Sequence, residues 1–291
     1  MASEPYFLGA DLGGTQLRVA AVTPAGRLAS EVLSAPTGKA FGPDDLRRAL
    51  PALADRVRSA LPGRDPAALG FGTPGVVVDG PLTQCDNLPL LNGVEIQRLV
   101  RDAVACPVAL ENDARCFTLA EARYGAGRGA RDVCGITLGT GVGCGLMVAG
   151  KLYRGNAGQA GEVWRIPLRG RPLEHSLSGE GLVRAYAVAG GSPGLDAAGV
   201  EAAARAGDEA ARTAWRVFGE DLAFLCACVI AVRDPAVIVL GGSLSSAHDL
   251  YSPAFLSHLA GLSTRIAVSE LGRAAGVIGA ATLTMNNSHG H

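Results

Sequence analysis

Two stretches half a chain apart read almost alike, and they limit what this chain can become. ADLGGTQLRVAAV (10–22) and ITLGTGVGCGLMV (136–148) each consist of an apolar run, a glycine turn and a second apolar run. Short runs of apolar and β-branched residues bounded by glycines read as strands, so each stretch is predicted to be a hairpin. Glycine permits both a tight turn and close approach of a ligand to the backbone. Two such hairpins so far apart predict two related units facing each other.

The segments between them alternate in kind. Leu46, Leu50, Leu53 and Val57 give residues 43–61 one apolar helical face. Residues 68–78 read as a strand running into a Gly-Pro turn, 94–104 as a helix and 107–110 as a buried strand. A helix over 114–124 is closed by Gly125. Trp215, Phe218, Leu222, Leu225 and Val229 mark a long helix over 208–231, followed by the strand PAVIVLGG, a helix, the strand TRIAVSE and a small-residue helix near 275–285. RLASEVL (27–33) reads as a third strand after the first hairpin. Strands alternating with helices, with hairpins mixed in, predict an α/β fold with mixed sheets. We place a boundary near residue 110. Residues 1–110 form a smaller domain, 111–274 a larger one, and the last helix, 275–291, packs back on the first.

Composition excludes several classes. The chain has 291 residues, 48% hydrophobic and 18% charged, with a net charge of −1. That balance gives no electrostatic case for nucleic acid or an anionic membrane surface. The N-terminus lacks a basic leader, and no run approaches about 18 uninterrupted apolar residues, so a soluble, cytoplasmic protein is expected. The seven cysteines are odd in number and lie mostly in apolar runs, as reduced core thiols do. Cys226 and Cys228 fall on different faces of their helix and make a poor metal site.

Three turns carry the chemistry: Asp11-Leu-Gly-Gly-Thr15, Gly139-Thr-Gly-Val-Gly143 and Gly241-Gly-Ser243. Exposed amides in such turns cradle phosphate oxygens, although any one of them could be no more than a tight hairpin. No G-x-x-x-x-G-K-[ST] exists, and of 26 basic residues only Lys39 and Lys151 are lysine. The 139–145 glycines alternate, which does not fit G-x-G-x-x-G, and a strand follows them rather than a helix. What remains is a phosphate site of two hairpin loops, with Asp11 able to hold Mg²⁺ through water.

Asp11-x-Gly-Gly-Thr15, Glu111-Asn-Asp-Ala114, the 139–143 loop, Gly161-Glu162 and Leu240-Gly-Gly242 stand in the order that resembles the ROK-family sugar kinases. The resemblance covers essentially the whole chain. It implies a two-domain actin-like ATPase (ribonuclease H-like) fold with an active-site cleft between the domains. It also implies ATP-dependent phosphorylation of a hexose at its primary hydroxyl, glucose first, and a homodimer. Asp113 would be the general base. By itself that residue could equally be a helix N-cap. Asn112, Glu162, Arg165 and Glu174 would bind the sugar, with the turns at Gly72–Gly75 and Asp86–Pro89 supplying Gly75 and Asn87. Asp11, Gly13, Gly14, Thr15, Gly139, Thr140, Gly141, Gly241 and Gly242 would bind the nucleotide. Arg18 and Arg154 read as solvated charges.

The family's common pattern then departs. There, Glu-x-Gly-His and a C-x-C-G-x-x-G-C cluster hold a structural zinc, and the His also helps fix the sugar. Here the stretch reads GEVWRIPLRGRPLEHSLSG (161–179). Arg165 stands in place of the His and all three Cys are absent, so no structural zinc is expected. Glu162 and Glu174 remain. Trp164 and Arg165 are expected to fill the vacated space, with Arg165 pairing Glu162 or Glu174. A kinase for fructose, mannose or an N-acetylhexosamine, or a sugar-binding regulator, are the rival readings.

Overall fold

A computed structural model describes residues 4–76, 81–261 and 263–285. Parts of three expectations lie outside them: residues 1–3 and 77–80 of the first domain, which include the end of the 68–78 strand, residue 262, and 286–291 of the last helix.

The first half contains β1 (Phe7–Leu12), β2 (Gln16–Val22), β3 (Leu33–Pro36), α1 (Pro43–Ser59), β4 (Leu69–Thr73), α2 (Ile96–Ala103), β5 (Val108–Asn112) and α3 (Asp113–Tyr124). The second contains β6 (Val133–Leu138), β7 (Val142–Val148), β8 (Lys151–Leu152), β9 (Pro167–Leu168), β10 (Arg171–Pro172), α4 (Gly179–Val188) and α5 (Ala197–Arg205). It closes with α6 (Glu209–Arg233), β11 (Val237–Gly241), α7 (His248–His258), β12 (Arg265–Val268) and α8 (Ala275–Met285).

The two main sheets repeat one plan. Their orders are β3-β2-β1-β4-β5 and, in reverse, β8-β7-β6-β11-β12. In each, a hairpin pairs antiparallel (β1 with β2, β6 with β7) and two further strands add in parallel. The mixed α/β sheets expected from the hairpins are therefore present, as is the internal repeat.

Each half gives its last helix to the other. Helix α3 follows β5 but lies on β6 and β7, α8 follows β12 but lies on β1 and β4, and the two helices pack together. Glycine makes this possible. A Cβ on Gly9 would fall 1.9 Å from Val277 O, and one on Gly70 1.7 Å from Ala280 O. In the second sheet a Cβ on Gly135 or Gly145 would fall 2.3 Å from Thr118 Oγ1. Burial is almost complete in consequence: residues 114–121 of α3 are all buried. Apolar burial is worth about 25 cal/mol per Å², so this central pair is a principal source of cohesion.

Local signals agree with the elements. In α1, Pro43 opens the helix, Asp45 accepts from the Gly42 amide at 2.8 Å, and Leu46, Leu50, Leu53 and Val57 are buried. The third strand differs from expectation. Only Leu33–Pro36 pairs as a strand, with a single bridge at Leu28. The Ser30 hydroxyl accepts the Ala21 amide at 2.9 Å where a strand carbonyl would have done so. All seven cysteines are free thiols and five are buried. No helix among the described residues is long and apolar enough to cross a membrane.

Candidate active site

Strand ends and helix starts meet at one place. β5 ends in Glu111-Asn112 and runs straight into α3. The N-cap of α3 is Asn112, whose Oδ1 accepts from Arg115 N at 3.2 Å. That settles the alternative left open for Asp113: it is the first residue of the helix, not its cap. Its Oδ1 accepts from Ala114 N at 2.8 Å. Burial pushes its pKa up to about 7, with the Asp11 carboxylate the next cause and Glu162 a lesser one. Asp11, Asp113 and Glu162 are thus within electrostatic reach of one another. Asp11 is itself raised by burial and lowered by Arg18.

The amide of Asn112 is largely committed. Its Nδ2 donates to Gly75 O at 3.1 Å. Gly75 has φ +86, and a Cβ there would fall 2.5 Å from Thr83 O, so this turn needs glycine.

The two hairpin turns face each other across Asn87. A Cβ on Gly14 would stand 3.1 Å from Asn87 Cβ, and one on Gly141 3.6 Å from Asn87 Nδ2. The first turn, with Gly13, Gly14 and Thr15, is braced by Thr37, whose hydroxyl donates to Gly13 O at 2.7 Å and whose amide donates to Thr15 O at 3.0 Å. The second turn, with Gly139, Thr140 and Gly141, is braced by Glu174, whose Oε2 accepts from Val142 N at 2.9 Å. Burial raises the Glu174 pKa, and that amide partly offsets it.

Gly241 and Gly242 end β11 beside this second turn. Gly242 has φ +85, a Cβ there would meet Leu138 O at 2.2 Å, and the following Ser243 comes close to Gly139. The start of α4 closes the same corner, with Gly179 N donating to Gly139 O at 2.9 Å. Next to it opens a cavity of about 460 Å³, lined by Gly179, Val183, Leu195 and Ala197 together with Glu180, Arg184 and Asp196. Nothing in the sequence had singled it out, because its walls come from α4 and from the loop leading into α5.

Three arginines depart from expectation. Arg18 reaches Asp11 at 3.6 Å, since the two residues are paired across the β1–β2 ladder. Arg154 donates Nε to Glu111 at 2.5 Å, although Glu111 is 1% exposed. Neither is a freely solvated charge. Arg165 pairs with neither Glu162 nor Glu174. It donates to Gln84 Oε1 and stacks over the Trp164 ring, 4.7 Å from its centre. Trp164 Nε1, in turn, donates to Glu162 Oε2 at 2.6 Å.

A buried ion pair beneath the site went unforeseen. Glu111 and Arg115 are each 1% exposed and 3.1 Å apart, and Arg115 also donates to Gly158 O and Ala160 O at 2.5 and 3.1 Å. It ties the first turn of α3 to the loop that leads to Glu162. Farther on, the β9–β10 hairpin occupies the stretch between Glu162 and Glu174. Arg169 at its turn donates to Asp221, buried in α6, at 3.0 Å. Among the described residues no three His, Cys, Asp or Glu side chains are grouped to hold a metal ion.

Two mixed sheets of one plan, closed by exchanged helices around a pair of glycine hairpins, are the architecture of the actin-like ATPases. The ROK family pattern matches residues 7–287. The chain is 31% identical to N-acetylgalactosamine kinase AgaK of Shewanella sp. (strain ANA-3), over 95% of this chain and 96% of that one. It is 29% identical to the glucokinase of Streptomyces coelicolor, again over 95% and 96%. Among solved structures it superposes on a ROK family glucokinase from Streptomyces griseus in complex with glucose and AMPPNP. The TM-score is 0.82 at 28% identity, over 96% of this chain and 98% of the other. The chain belongs to the ROK family.

Proposed function

We propose that this protein is a sugar kinase that transfers the γ-phosphoryl group of ATP to the primary hydroxyl of a hexose, with glucose the first candidate. The observation that carries the reading is Asp113. It opens a helix without capping it, within electrostatic reach of the Asp11 and Glu162 carboxylates, and its pKa is raised to about 7. A base tuned close to working pH is what proton abstraction from a hydroxyl requires. Phosphoryl transfer otherwise depends on positioning and on neutralising charge.

In this reading Asp113 takes the hydroxyl proton as the sugar oxygen attacks phosphorus. Asn112, Glu162, Glu174, Gly75 and Asn87 orient the sugar. The amides around Gly13–Thr15 and Gly139–Gly141 receive phosphate oxygens, the cavity beside Gly179 takes the adenosine, and the Gly241–Gly242 turn adds to the nucleotide site. Asp11 would hold Mg²⁺ through water. The residues fit that ion: the Asp11 side chain is 15% exposed, its contact with Arg18 at 3.6 Å is longer than a hydrogen bond, and burial disfavours its charge. Such a carboxylate is short of positive charge, and Mg²⁺ needs only one or two of them plus phosphates. When bound, the ion supplies charge neutralisation at the phosphates. The smaller domain, residues 1–110 with α8 returned to it, would close on the larger one, 111–274, to exclude water.

N-acetylhexosamines, mannose and fructose are the rival substrates, since one or two pocket contacts decide among them. The test is ADP release from MgATP over a hexose panel. Glucose-dependent turnover should fall about 10³- to 10⁴-fold in Asp113→Asn while sugar binding persists. Sugar binding without turnover on any hexose would make the protein a regulator instead.

A further inference from the structure

Arg165 makes its contact between the two halves of the chain. It lies in the second half, between β8 and β9, and its partner Gln84 lies in the first, 81 residues earlier. Three linked contacts then run inward: Gln84 Oε1 to the Arg165 guanidinium, that guanidinium over the Trp164 ring at 4.7 Å, and Trp164 Nε1 to Glu162 Oε2 at 2.6 Å. Trp164 is half-buried and packs on the core of the second half. The charge of Glu162 is felt by Asp113.

Gln84 has an unusual backbone conformation. Its φ is +59, a left-handed conformation that a long side chain rarely adopts. Such strain persists only where the surroundings impose it, and it gathers at ligand clamps. Its neighbours in sequence lie close to the candidate site: Asn87 stands between the two hairpin turns, and the Asp86 charge is felt by Glu174.

We propose that Gln84, Arg165 and Trp164 form a latch between the two halves that orients the Glu162 carboxylate toward the sugar. The proposal rests on the sugar-binding role given to Glu162 above. Arg165 then acts as a positioning residue. Its flat guanidinium both stacks and donates, which a lysine could not do together. An indole N–H holding one carboxylate oxygen leaves the other free to accept from a sugar hydroxyl.

The chain offers its own reporter. It has two tryptophans, Trp164 and Trp215, and Trp215 is fully buried in an aromatic cluster with Phe218 and Tyr251. Glucose titrated into the whole protein should change the fluorescence of the wild type and not that of Trp164→Phe. Gln84→Ala and Arg165→Ala should each raise the half-saturating glucose concentration and the sugar KM about tenfold, with kcat within about twofold. The double variant should be no worse than either single one. Gln84→Glu, which keeps an acceptor, should stay near wild type, whereas Arg165→Lys should behave as Arg165→Ala. Thermal melts of each variant separate these effects from misfolding.

Effects of Gln84→Ala and Arg165→Ala that simply multiply would overturn the latch, as would a silent Gln84→Ala beside a damaged Arg165→Ala. A wild type that binds glucose without turnover would sink the kinase reading but leave the cycle readable in the binding constants. Should glucose fail to bind, the titration is repeated with N-acetylgalactosamine and mannose, and binding of none of them would sink both.

Discussion

The two hairpins share a plan but not a chemistry. In the first, Asp11 pairs with Arg18 across the ladder, and α8 begins alongside, so that a Cβ on Gly276 would fall 2.4 Å from Asp11 Oδ2. In the second, the matching pair is Thr137 and Gly143, and α3 begins alongside, so that a Cβ on Gly143 would fall 2.7 Å from Ala114 Cβ. The sequence repeat aligns Asp11 with Thr137 and Gly13 with Gly139. One unit therefore keeps a carboxylate at the end of its first strand, and the other presents only backbone and a hydroxyl. In the proposed reading the duplicated scaffold divides its work in this way: the charged turn would serve a cation, and the bare turn would serve phosphate oxygens directly.

The sharpest way to break this comparison is to neutralise the charged member. Asp11→Asn should lower kcat about 10²- to 10³-fold, the scale set by removing one group that stabilises transition-state charge, with the sugar KM nearly unchanged. Thr137→Val in the other hairpin should cost no more than about threefold on the same scale. Equal losses would mean that the hairpins are not specialised. The pH profile sharpens the point. As the proposed base, Asp113 would have to be ionised to act, so kcat/KM should rise with pH through about 7 in the wild type. Asp11 is the second cause of that raised pKa, so in Asp11→Asn the acid limb of the residual activity should move to lower pH. The sign for stability is opposite. The folded state binds this proton more tightly than the unfolded state, so this group's contribution to stability declines as pH rises from about 4, the ordinary carboxylate value, to about 7.

What the halves share should break equally. Gly70→Ala would drive a methyl into the backbone of α8, and Gly145→Ala would drive one into α3, where Thr118 Oγ1 and Ala114 O lie 2.3 and 2.8 Å away. Overpacking of this kind costs about 1–3 kcal/mol. Urea unfolding should show similar losses for both, because the two exchanged helices form one central layer. A loss confined to Gly145→Ala would mean that α8 can part from its sheet without unfolding the rest.

The same comparison explains what was legible in the sequence. Hairpins announce themselves by glycine spacing, and α1 and α6 by their three- and four-residue apolar steps, because these signals are local. The residues around the site had to be brought together by the fold. Glu111 meets Arg154 over 43 positions and Arg165 meets Gln84 over 81, and no period or motif encodes such pairs. Arg18 and Arg154 read as solvated in the sequence because arginine usually is. Burial of the partner carboxylate reverses that, and burial is a tertiary fact. Charge alone points Arg165 to a nearby carboxylate, whereas the flat Trp164 ring and an amide oxygen from the other half hold it instead. Sequence alone leaves open which of Asn112 and Asp113 caps the helix, and the fold makes it Asn112.

The smallest expected effects concern the braces, and they test whether the two turns are held as differently as they are charged. Thr37 steadies the first turn with one hydroxyl and one amide bond to carbonyls. Glu174 steadies the second with a carboxylate on the Val142 amide, and a Cβ on Gly141 would fall 2.3 Å from its Oε2. A hydrogen bond to a charged group contributes about 1.5–3 kcal/mol and a neutral one about 1. Glu174→Gln should thus raise the MgATP KM about tenfold, and Thr37→Val about threefold. Glu174 also faces the sugar in the proposed reading, so its variant should raise the sugar KM too, while Thr37→Val should not. If Glu174→Gln moves the sugar KM alone, the second turn stands without its brace and the carboxylate belongs wholly to the sugar. If it moves the nucleotide KM alone, Glu174 is a loop cap. Glu162, held by Trp164, would then be the one carboxylate of the pair left to read the hexose.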